Sequence, residues 1–430
     1  MIFPGGGRTI RYNYGSTPLL GATRVADTCP PKFRRRRVAD GTGQGRTKYA
    51  QYTYLGAAIV VQAAHPAVNG GLTLTYGSPG DAGGGFAGFD RGVYPPAVWR
   101  GRIIDQKWTD AAGTAVRDRV RYGYNRASSR IWRYNAVDPN FSEYYLYDGL
   151  HRLTESKRGV LGGTDPNFTP PATVKRTEDW TLDFLGNWKA FKIDANGPGG
   201  AGNWELEQSR THNKVNEITA IGQEANQPAW IDPDHDAAGN MVLMPDARTP
   251  TAGLRAVYDA WNRLVQATTD AGEIVVTYRY DGLNRRIAKL FGADPVHPTS
   301  REDHYYNESW QLLEVRRDGD ADPYEQIVWD IRYIDSPICR FRDGDLDGAY
   351  DKTAAGVDDN LYFANDGNFN VTALVSPSSG RAVCIHPLRP ADHLRRRLVR
   401  RPCLGLQPKE RDPLLRIPLR PGDGNVPCAE

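Results

Sequence analysis

The sequence predicts an all-β protein built from repeated antiparallel β-hairpins that form a curved or spiral sheet. Three observations support this prediction: a composition rich in turn-forming and aromatic residues, a short motif that recurs at a near-constant interval, and β-branched segments between the motif copies. The 430 residues include 45 Gly, 30 Pro, 22 Tyr and 10 Trp. Gly and Pro provide the backbone angles of tight turns, and strands favour aromatic and β-branched residues. Many short strands joined by tight turns are therefore expected.

The recurring motif has the pattern Y-D-x-x-[NGH]-R-L. Its clearest copies occupy residues 258–264 and 280–286, and a third occupies residues 147–153. Weaker copies begin at Leu182, His212, His235 and Tyr306. The copies that begin at 212, 235, 258 and 280 are separated by 23, 23 and 22 residues. Such an interval over several copies indicates a repeated structural unit.

The chemistry of the motif predicts a turn between two strands. The aspartate is expected to accept hydrogen bonds from nearby backbone N–H groups, and the later Gly or Asn suits a positive φ angle. Residues 274–280 are β-branched or aromatic apart from Arg279, which predicts a return strand. A single hairpin is marginally stable, so neighbouring hairpins must pair. The predicted structural turn residues are Tyr147, Asp148, Gly149, Tyr258, Asp259, Tyr280, Asp281 and Gly282.

The motif and its interval resemble the YD repeats of Rhs proteins, a group that includes bacterial polymorphic toxins and teneurins. The resemblance covers about residues 50–380, and residues 362–374 are similar to the approach to the Rhs-associated core region. It implies a large β-sheet shell, often closed around a C-terminal toxin, in a secreted or cell-surface protein. The Y-D-P-Y-G-like continuation expected after Gly380 is absent, as are the closing motif of the core and its aspartate-based self-cleavage site. We therefore interpret the chain as a truncated member.

Three regions follow from these patterns: an irregular N-terminal segment with partial repeat character (1–50), the repeat region (51–380) and a basic tail (381–430). The tail has eight Pro, no aromatic residue, and 11 Arg and Lys against 5 Asp and Glu, a net charge of +6. It buries too little apolar surface to offset chain entropy, so we expect it to be disordered, dispensable and degenerate or out of frame. Alternatively, its arginine run at 395–401 contacts nucleic acid or acidic lipid.

The body of the chain is close to electrical balance. Subtracting the tail leaves 43 basic and 46 acidic residues in 1–380, which argues against nucleic-acid binding by the repeats. The longest apolar run, at about 55–61, is too short to span a membrane, and residues 1–7 do not have the pattern of a signal peptide. Secretion or surface display is thus expected from the resemblance alone.

The expected function is a non-catalytic scaffold that displays or encloses a partner or toxin segment, because no nucleophile elbow, phosphate loop or H-x-x-x-H pair occurs. An alternative is a module that binds carbohydrate or a cell surface through stacked aromatic rings. Its candidate residues are Trp99, Trp108, Trp132, Trp261 and Trp310, although a role in the core or in cross-strand pairs is favoured. A weaker alternative is a toxin with a C-terminal effector.

Two acidic segments could hold a metal, and no other cofactor is expected. Asp343, Asp345, Asp347 and Asp351 follow the start of a calcium loop, but Ala354 occupies the place of the bidentate glutamate, so an acidic turn is the competing interpretation. His235 is surrounded by Asp232, Asp234 and Asp236. His212 and His235 stand where the motif places Tyr, so we interpret both as aromatic replacements. The five cysteines show neither zinc-site nor disulfide spacing.

Overall fold

The computed structural model describes residues 9–14, 23–29, 47–55, 59–76, 88–89, 102–199, 204–224, 227–246, 249–344, 346 and 359–384. Within these ranges the chain forms twenty-nine β-strands and one short 3₁₀ helix, Pro139–Phe141. No α-helix occurs in the described ranges, and in particular none long and apolar enough to cross a membrane. The predicted all-β class is confirmed.

The first sixteen strands occupy the N-terminal half of the chain. They are β1 (Thr9–Tyr14), β2 (Thr23–Cys29), β3 (Thr47–Leu55), β4 (Ile59–His65), β5 (Leu72–Thr75), β6 (Asp105–Thr109), β7 (Val116–Tyr124), β8 (Arg130–Asn135), β9 (Glu143–Tyr147), β10 (Leu153–Gly159), β11 (Gly162–Thr164), β12 (Asn167–Thr169), β13 (Val174–Leu182), β14 (Trp188–Asp194), β15 (Leu206–His212) and β16 (Ile218–Gln223). All but β11 and β12 form one fourteen-stranded sheet, and β11 and β12 form a separate hairpin.

The remaining strands form a second sheet of thirteen strands. They are β17 (Asp234–His235), β18 (Met241–Asp246), β19 (Thr249–Tyr258), β20 (Leu264–Thr269), β21 (Ile274–Tyr280), β22 (Arg286–Phe291), β23 (Ser300–Tyr306), β24 (Leu312–Arg317), β25 (Glu325–Trp329), β26 (Pro337–Arg342), β27 (Asp359–Asn365), β28 (Val371–Val375) and β29 (Ala382–Cys384). In both sheets each strand pairs antiparallel with the next one in its sheet, so the predicted hairpins are confirmed.

The two ends of this meander pack against each other. Apolar residues of β3–β6, including Tyr52, Leu74 and Trp108, form one buried cluster with residues of β24–β28, including Ile338 and Tyr362. The ring of Tyr49 meets the edge of Phe341 with centroids 5.4 Å apart. We call β3–β8 together with β24–β29 the packed end.

Hydrogen bonds also join the two sheets at the packed end. The indole N–H of Trp108 donates to the carbonyl of Asn365 at 2.9 Å, and the backbone N–H of Gly367 donates to the hydroxyl of Tyr122 at 2.9 Å. The hydroxyl of Thr372 donates to the buried carboxylate of Asp118. The two sheets are therefore held face to face here by polar as well as apolar contacts.

The strands between the two parts of the packed end form a more open structure. We call β9, β10 and β13–β23 the central ribbon. All six residues of β18 and all six of β20 are only half-buried. The ribbon therefore depends mainly on strand pairing and turns for its organisation.

The predicted division of the chain at 50 and 380 stays a prediction. Two strands, β1 and β2, lie within the N-terminal segment and continue the first sheet through β3, while β29 ends four residues after Gly380. Residues 385–430, which include most of the predicted tail, lie outside the described residues.

Candidate functional site

One hairpin turn recurs along the chain with the same backbone hydrogen bonds. In each copy an Asp or Asn accepts at its carbonyl from the N–H three residues later, and its own N–H donates to the carbonyl four residues later. At Asp281 these distances are 3.1 Å from Asn284 and 3.0 Å to Arg285. The copies begin at Asn125, Asp148, Asp183, Asn213, Asp236, Asp259, Asp281, Asn307 and Asp366. Consecutive copies lie two strands apart or more, so all of them lie on the side of the sheets where the same ends of the strands meet.

The side chain of the first residue caps the turn. In Asp148, Oδ1 accepts from the backbone N–H groups of Leu150 and Arg152, both at 2.9 Å. Its Oδ2 accepts from Nε of Arg152 at 2.7 Å. The backbone and side-chain hydrogen bonds from Arg152, with a further one from Leu150, lower the pKa of Asp148 below its ordinary value despite slight desolvation. The carboxylate is therefore ionised at neutral pH and binds to groups of its own turn.

Asp259 and Asp281 have the same arrangement. Their Oδ2 atoms accept from Nε of Arg263 at 2.7 Å and of Arg285 at 2.6 Å. Copies with Asn at the first position, such as Asn307, keep the Oδ1 bonds, here to the N–H groups of Ser309 and Gln311 at 2.9 Å. The aspartates thus occupy the turn positions that the motif predicts.

The fourth residue of each turn, counted from its Asp or Asn, adopts a left-handed backbone conformation. It has a positive φ in all nine copies, for example 62° at His151, 59° at Asn262 and 64° at Asn284. A β-turn followed by a left-handed residue matches hairpins with a three-residue loop and a bulge, and the strand register shifts at this point. The predicted turn residues Gly149 and Gly282 occupy the second position, where a Cβ atom would meet nothing within 4 Å.

The Tyr that opens the motif, one residue before the turn Asp, links each turn to the preceding one. The hydroxyl of Tyr280 donates to the carbonyl of Leu264, immediately after the previous turn, at 2.7 Å. Tyr147, Tyr258 and Tyr306 make the equivalent bonds at 2.7, 3.2 and 2.9 Å, to Arg130, Met241 and Arg286. At Trp329 the indole N–H replaces the hydroxyl and donates to Leu312 at 2.7 Å. We call these contacts backward links.

The sixth motif residue links each turn to the following one. Nη1 of Arg152 donates to the carbonyl of Asp183 at 2.6 Å, and Nη1 of Arg285 donates to that of Asn307 at 3.2 Å. Side-chain amides can replace the guanidinium, as Nδ2 of Asn240 donates to Oδ1 of Asn262 at 3.0 Å. We call these contacts forward links. The series of turns joined by forward or backward links is called the turn ladder. The motif predicted turns but not these links, although its Tyr and Arg stand at fixed positions.

The turn ladder is interrupted where the first sheet ends and the second begins. Between the turns at Asn213 and Asp236 the described side chains form neither kind of link. Glu217 occupies the sixth motif position, and its carboxylate accepts from Asn213 at 2.6 Å but has no hydrogen to donate forward. His235 occupies the first position and lacks the tyrosine hydroxyl. The change of sheet thus coincides with two departures from the motif.

The five tryptophan candidates for carbohydrate binding have different environments. Trp108 and Trp132 are buried, whereas Trp261 and Trp310 are 72% and 55% exposed because they occupy turn positions. Trp99 lies outside the described residues. A separate aromatic group, which was not among the predicted residues, is formed by Trp180, Trp188 and Phe191 on β13 and β14.

The calcium prediction involves Asp343, Asp345, Asp347 and Asp351, of which only Asp343 is described. Its side chain is buried, and Oδ1 accepts from the N–H of Leu346 at 2.7 Å. The calcium site therefore stays a prediction.

The acidic group around His235 serves local hydrogen bonds instead. Asp232 accepts from the N–H of Ile221 and Asp234 from that of His235, both at 2.9 Å, and Asp236 caps its turn. The described residues contain no group of three or more acidic, His or Cys side chains placed to hold a metal.

Antiparallel hairpins of near-constant length, joined turn to turn, define a β-repeat protein. The family model for the RHS repeat matches residues 258–290, which include the turns at Asp259 and Asp281. This match confirms the resemblance to Rhs repeats that the motif indicated, over the residues it covers. No curated protein sequence matches it significantly.

Two solved structures share its fold. They are the Tc holotoxin pore of Photorhabdus luminescens, with a TM-score of 0.55, and a TcdB2–TccC3 complex, with a TM-score of 0.53. Both are 15% identical to this chain and match 84% of it. The chain spans only 16% and 17% of the length of those proteins. The likeness describes the fold.

Proposed function

We propose that this chain is a non-catalytic wall segment of a secreted or cell-surface Rhs-type protein that displays or encloses a partner or toxin segment. The turn ladder is the observation that carries the proposal. Its aspartates, arginines and tyrosines are bound to the backbone of their own and neighbouring turns, so the recurring polar residues are used in assembling the sheet. A scaffold needs such repeated connections, whereas a catalytic group must be able to reach a substrate.

The likeness in fold to Tc toxin components supports a wall segment. In both comparisons most of this chain corresponds to about one sixth of a much longer chain. The central ribbon has the open strand faces that a wall needs to contact something else. In β19, Arg255 and Val257 are exposed on one face, while Ala256 between them is buried.

Site-specific photo-crosslinking in the source organism tests the enclosed or displayed partner. A crosslinking residue at Val257 is expected to capture a polypeptide from outside this chain, because the proposed partner would lie against this strand face. The same residue at Leu283, an exposed turn tip, is the matched control and should give little product. Equal labelling from both positions, or none from Val257, would contradict the proposal.

Accessibility on intact cells tests the proposed location. An epitope-tagged chain should be degraded by added protease without cell lysis, while a cytosolic marker survives. Protection of the tagged chain until the cells are lysed would rule out display at the surface.

Carbohydrate binding is the second candidate, and one observation favours it. The rings of Trp188 and Phe191 lie 5.2 Å apart, Trp180 stacks on Phe191 at 5.6 Å, and Trp188 is 41% exposed. The guanidinium of Arg210 lies over the Trp188 ring at 5.2 Å. Aromatic faces beside a polar group are suited to stacking on sugars.

A glycan array with the full chain separates the two candidates. Carbohydrate binding through this aromatic group requires a defined glycan signal that Trp188→Ala abolishes and Trp261→Ala retains. A scaffold without glycan recognition gives no such signal, and a signal lost equally in both variants would place the sugar elsewhere.

A further inference from the structure

A pocket of about 320 Å³ opens on the second sheet across β22–β26. Four basic side chains line it: Arg286, Lys289, Arg317 and Arg342. Its two acidic side chains are Glu302 and Glu325. The pocket therefore has an excess of two positive charges before any histidine is counted. Its size lies at the lower end of the range for small-molecule sites.

Both carboxylates already have basic partners. Glu302 accepts from Nζ of Lys289 at 3.0 Å and from Nη2 of Arg317 at 2.9 Å. Contact with His304, and then hydrogen bonds from Arg317 and Lys289, hold the pKa of Glu302 far below its ordinary value. Glu325 pairs with Arg340, with Nε and Oε2 3.9 Å apart. Glu325 lies opposite Arg342 in the pairing of β25 with β26, but among the described residues its ion pair within 4.0 Å is with Arg340.

Arg286 and Arg342 have no carboxylate within 4.0 Å among the described residues. The Nε atom of each is buried and lacks a hydrogen-bond partner there. Their guanidinium groups lie over aromatic rings, that of Arg286 at 5.1 Å from Tyr278 and that of Arg342 at 4.9 Å from Tyr324. The rings hold both groups in place without consuming their hydrogen-bonding capacity.

His304 is an independent indication of a ligand. Its side chain is only 3% exposed, it lines the pocket, and its Nδ1 atom has no hydrogen-bond partner in the described part of the chain. The other ring nitrogen, Nε2, lies 3.7 Å from Oε2 of Glu302. A buried polar atom without a partner costs free energy and calls for an explanation.

We propose that this pocket binds the oxyanion of a small molecule, a phosphate or carboxylate group on a compound about the size of one sugar. Arg286 and Arg342 supply the positive charge and paired N–H donors, a geometry that suits phosphate and carboxylate oxygens. The unpartnered Nδ1 of His304 offers a further hydrogen-bonding atom. Lys289 and Arg317 remain bound to Glu302 and shape the pocket wall. Arg286 and Leu312 take part in the turn ladder only through their backbone carbonyls, so the Arg286 side chain remains available to the pocket. The proposal does not depend on the scaffold function.

Titration of the full chain with four probes tests the proposal: inorganic phosphate, glucose 1-phosphate, glucuronate and neutral glucose. Calorimetry gives the affinity, and broadening of the phosphate ³¹P resonance gives a second readout on the unaltered protein. We expect saturable binding of at least one anion and none of glucose. Preference for glucose 1-phosphate or for glucuronate distinguishes phosphate from carboxylate ligands.

Three variants locate the site. Arg286→Gln and Arg342→Gln should each weaken binding about tenfold or more, since each removes charge-assisted hydrogen bonds to the anion. His304→Ala should weaken it by a smaller factor. Arg279→Gln is the matched control, because Arg279 is an exposed arginine on β21 outside the pocket lining. It should retain affinity within about twofold of the unaltered chain if pocket hydrogen bonds dominate.

Several results would overturn the proposal. These are absence of saturable anion binding to the unaltered chain, glucose binding as tightly as the anions, or an equal loss in Arg279→Gln and the pocket variants. Thermal unfolding of each variant checks its folding. If Arg342→Gln does not fold, Arg286→Gln and the ³¹P measurement decide the question.

Discussion

In the packed end, Leu72 and Leu74 of β5 and Trp108 of β6 are almost fully buried against the opposite sheet. In the central ribbon, β18 and β20 contain no fully buried residue, yet they pair in the same antiparallel order. Both regions use the same hairpin turn, at Asp366 in the packed end and at Asp259 in the ribbon. The difference lies in what stabilises the strands after the turn has set their order.

The comparison separates two contributions to folding. The RHS repeat match at 258–290 lies wholly in the central ribbon, where β20 has no buried residue and β21 has two. There the chain is organised by local turn chemistry, which leaves a clear sequence pattern. The packed end depends on non-local apolar contacts, which have no fixed period. Substitutions in each region test how far the two contributions can be separated.

The largest effect is expected from Trp108→Ala in the packed end. Trp108 is 1% exposed, packs between the sheets and donates to the carbonyl of Asn365. Removing a buried tryptophan lowers the free energy of unfolding by about 3–5 kcal/mol. Denaturant unfolding measures the change. Trp261→Ala is the matched control, because Trp261 is 72% exposed on a ribbon turn and should change stability by less than about 0.5 kcal/mol. Similar losses in both variants would remove the distinction between the regions.

Acidification should weaken the packed end through His65. This side chain is buried and stacks on Trp108, with ring centroids 5.6 Å apart. Its Nδ1 atom lies 2.8 Å from the carbonyl oxygen of Tyr49. Burial lowers the pKa of His65 to about 4, against partial compensation from Tyr49 and Asp330, while Arg332 acts with burial. The unfolded chain therefore takes up this proton first, and stability falls as the pH decreases from about 6.5 to 4. The full effect is about 3 kcal/mol.

Unfolding measured across this pH window provides the check on His65. His65→Asn should be less stable at neutral pH but should lose less stability on acidification. His297→Ala, which removes an exposed histidine, should keep the slope of the unaltered chain. An unchanged slope in His65→Asn would assign the acid sensitivity to other groups.

The fold class and the turn positions could be predicted because their determinants are local. Asp148, Asp259 and Asp281 cap turns within four residues of themselves, so the motif contains the whole interaction. The facing of Trp108 and Asn365, more than 250 positions apart, depends on how the two sheets meet, which no motif records. The pocket at His304 was missed for the same reason, since five strands contribute to it. The glycines after the aspartates were noticeable in the sequence, but the positive φ lies two positions later.

A smaller effect is expected from Asp281→Ala in the central ribbon. The change removes acceptors for the N–H groups of Leu283 and Arg285 and for the Arg285 guanidinium. The melting temperature should decrease by a few degrees, less than for Trp108→Ala. Asp281→Asn should recover much of the loss, because Asn307 caps its turn with an amide oxygen. An unchanged melting temperature in Asp281→Ala would show that the turn forms without its cap.

The smallest effect, and the only expected gain, concerns the interruption of the turn ladder between the two sheets. Glu217→Arg introduces a donor at the sixth motif position, and His235→Tyr introduces a hydroxyl at the first. The Glu217 carboxylate already comes close to the next turn, since a Cβ atom on Gly239 would lie 3.2 Å from its Oε1. An arginine there can reach the carbonyl of Asp236, as Arg263 reaches that of Asp281 at 3.3 Å. The tyrosine can reach back toward Ile218, as Tyr280 reaches Leu264. Each link should add between a few tenths and about 1 kcal/mol.

A double-mutant cycle distinguishes repair of the ladder from a general effect of charge or hydrophobicity. The two changes supply links between the same pair of turns, so together they should stabilise the chain more than the sum of their separate effects. Hydrogen exchange at β16 and β18 should slow at the same time, because opening between the sheets becomes less favourable. Lys214→Gln, a change on the same turn at a position that makes no link, is the control for charge. Strictly additive changes in the free energy of unfolding, with unaltered hydrogen exchange, would mean that the chain between β16 and β17 sets the sheet boundary. The missing links would then be a consequence of the break between the sheets and not its cause.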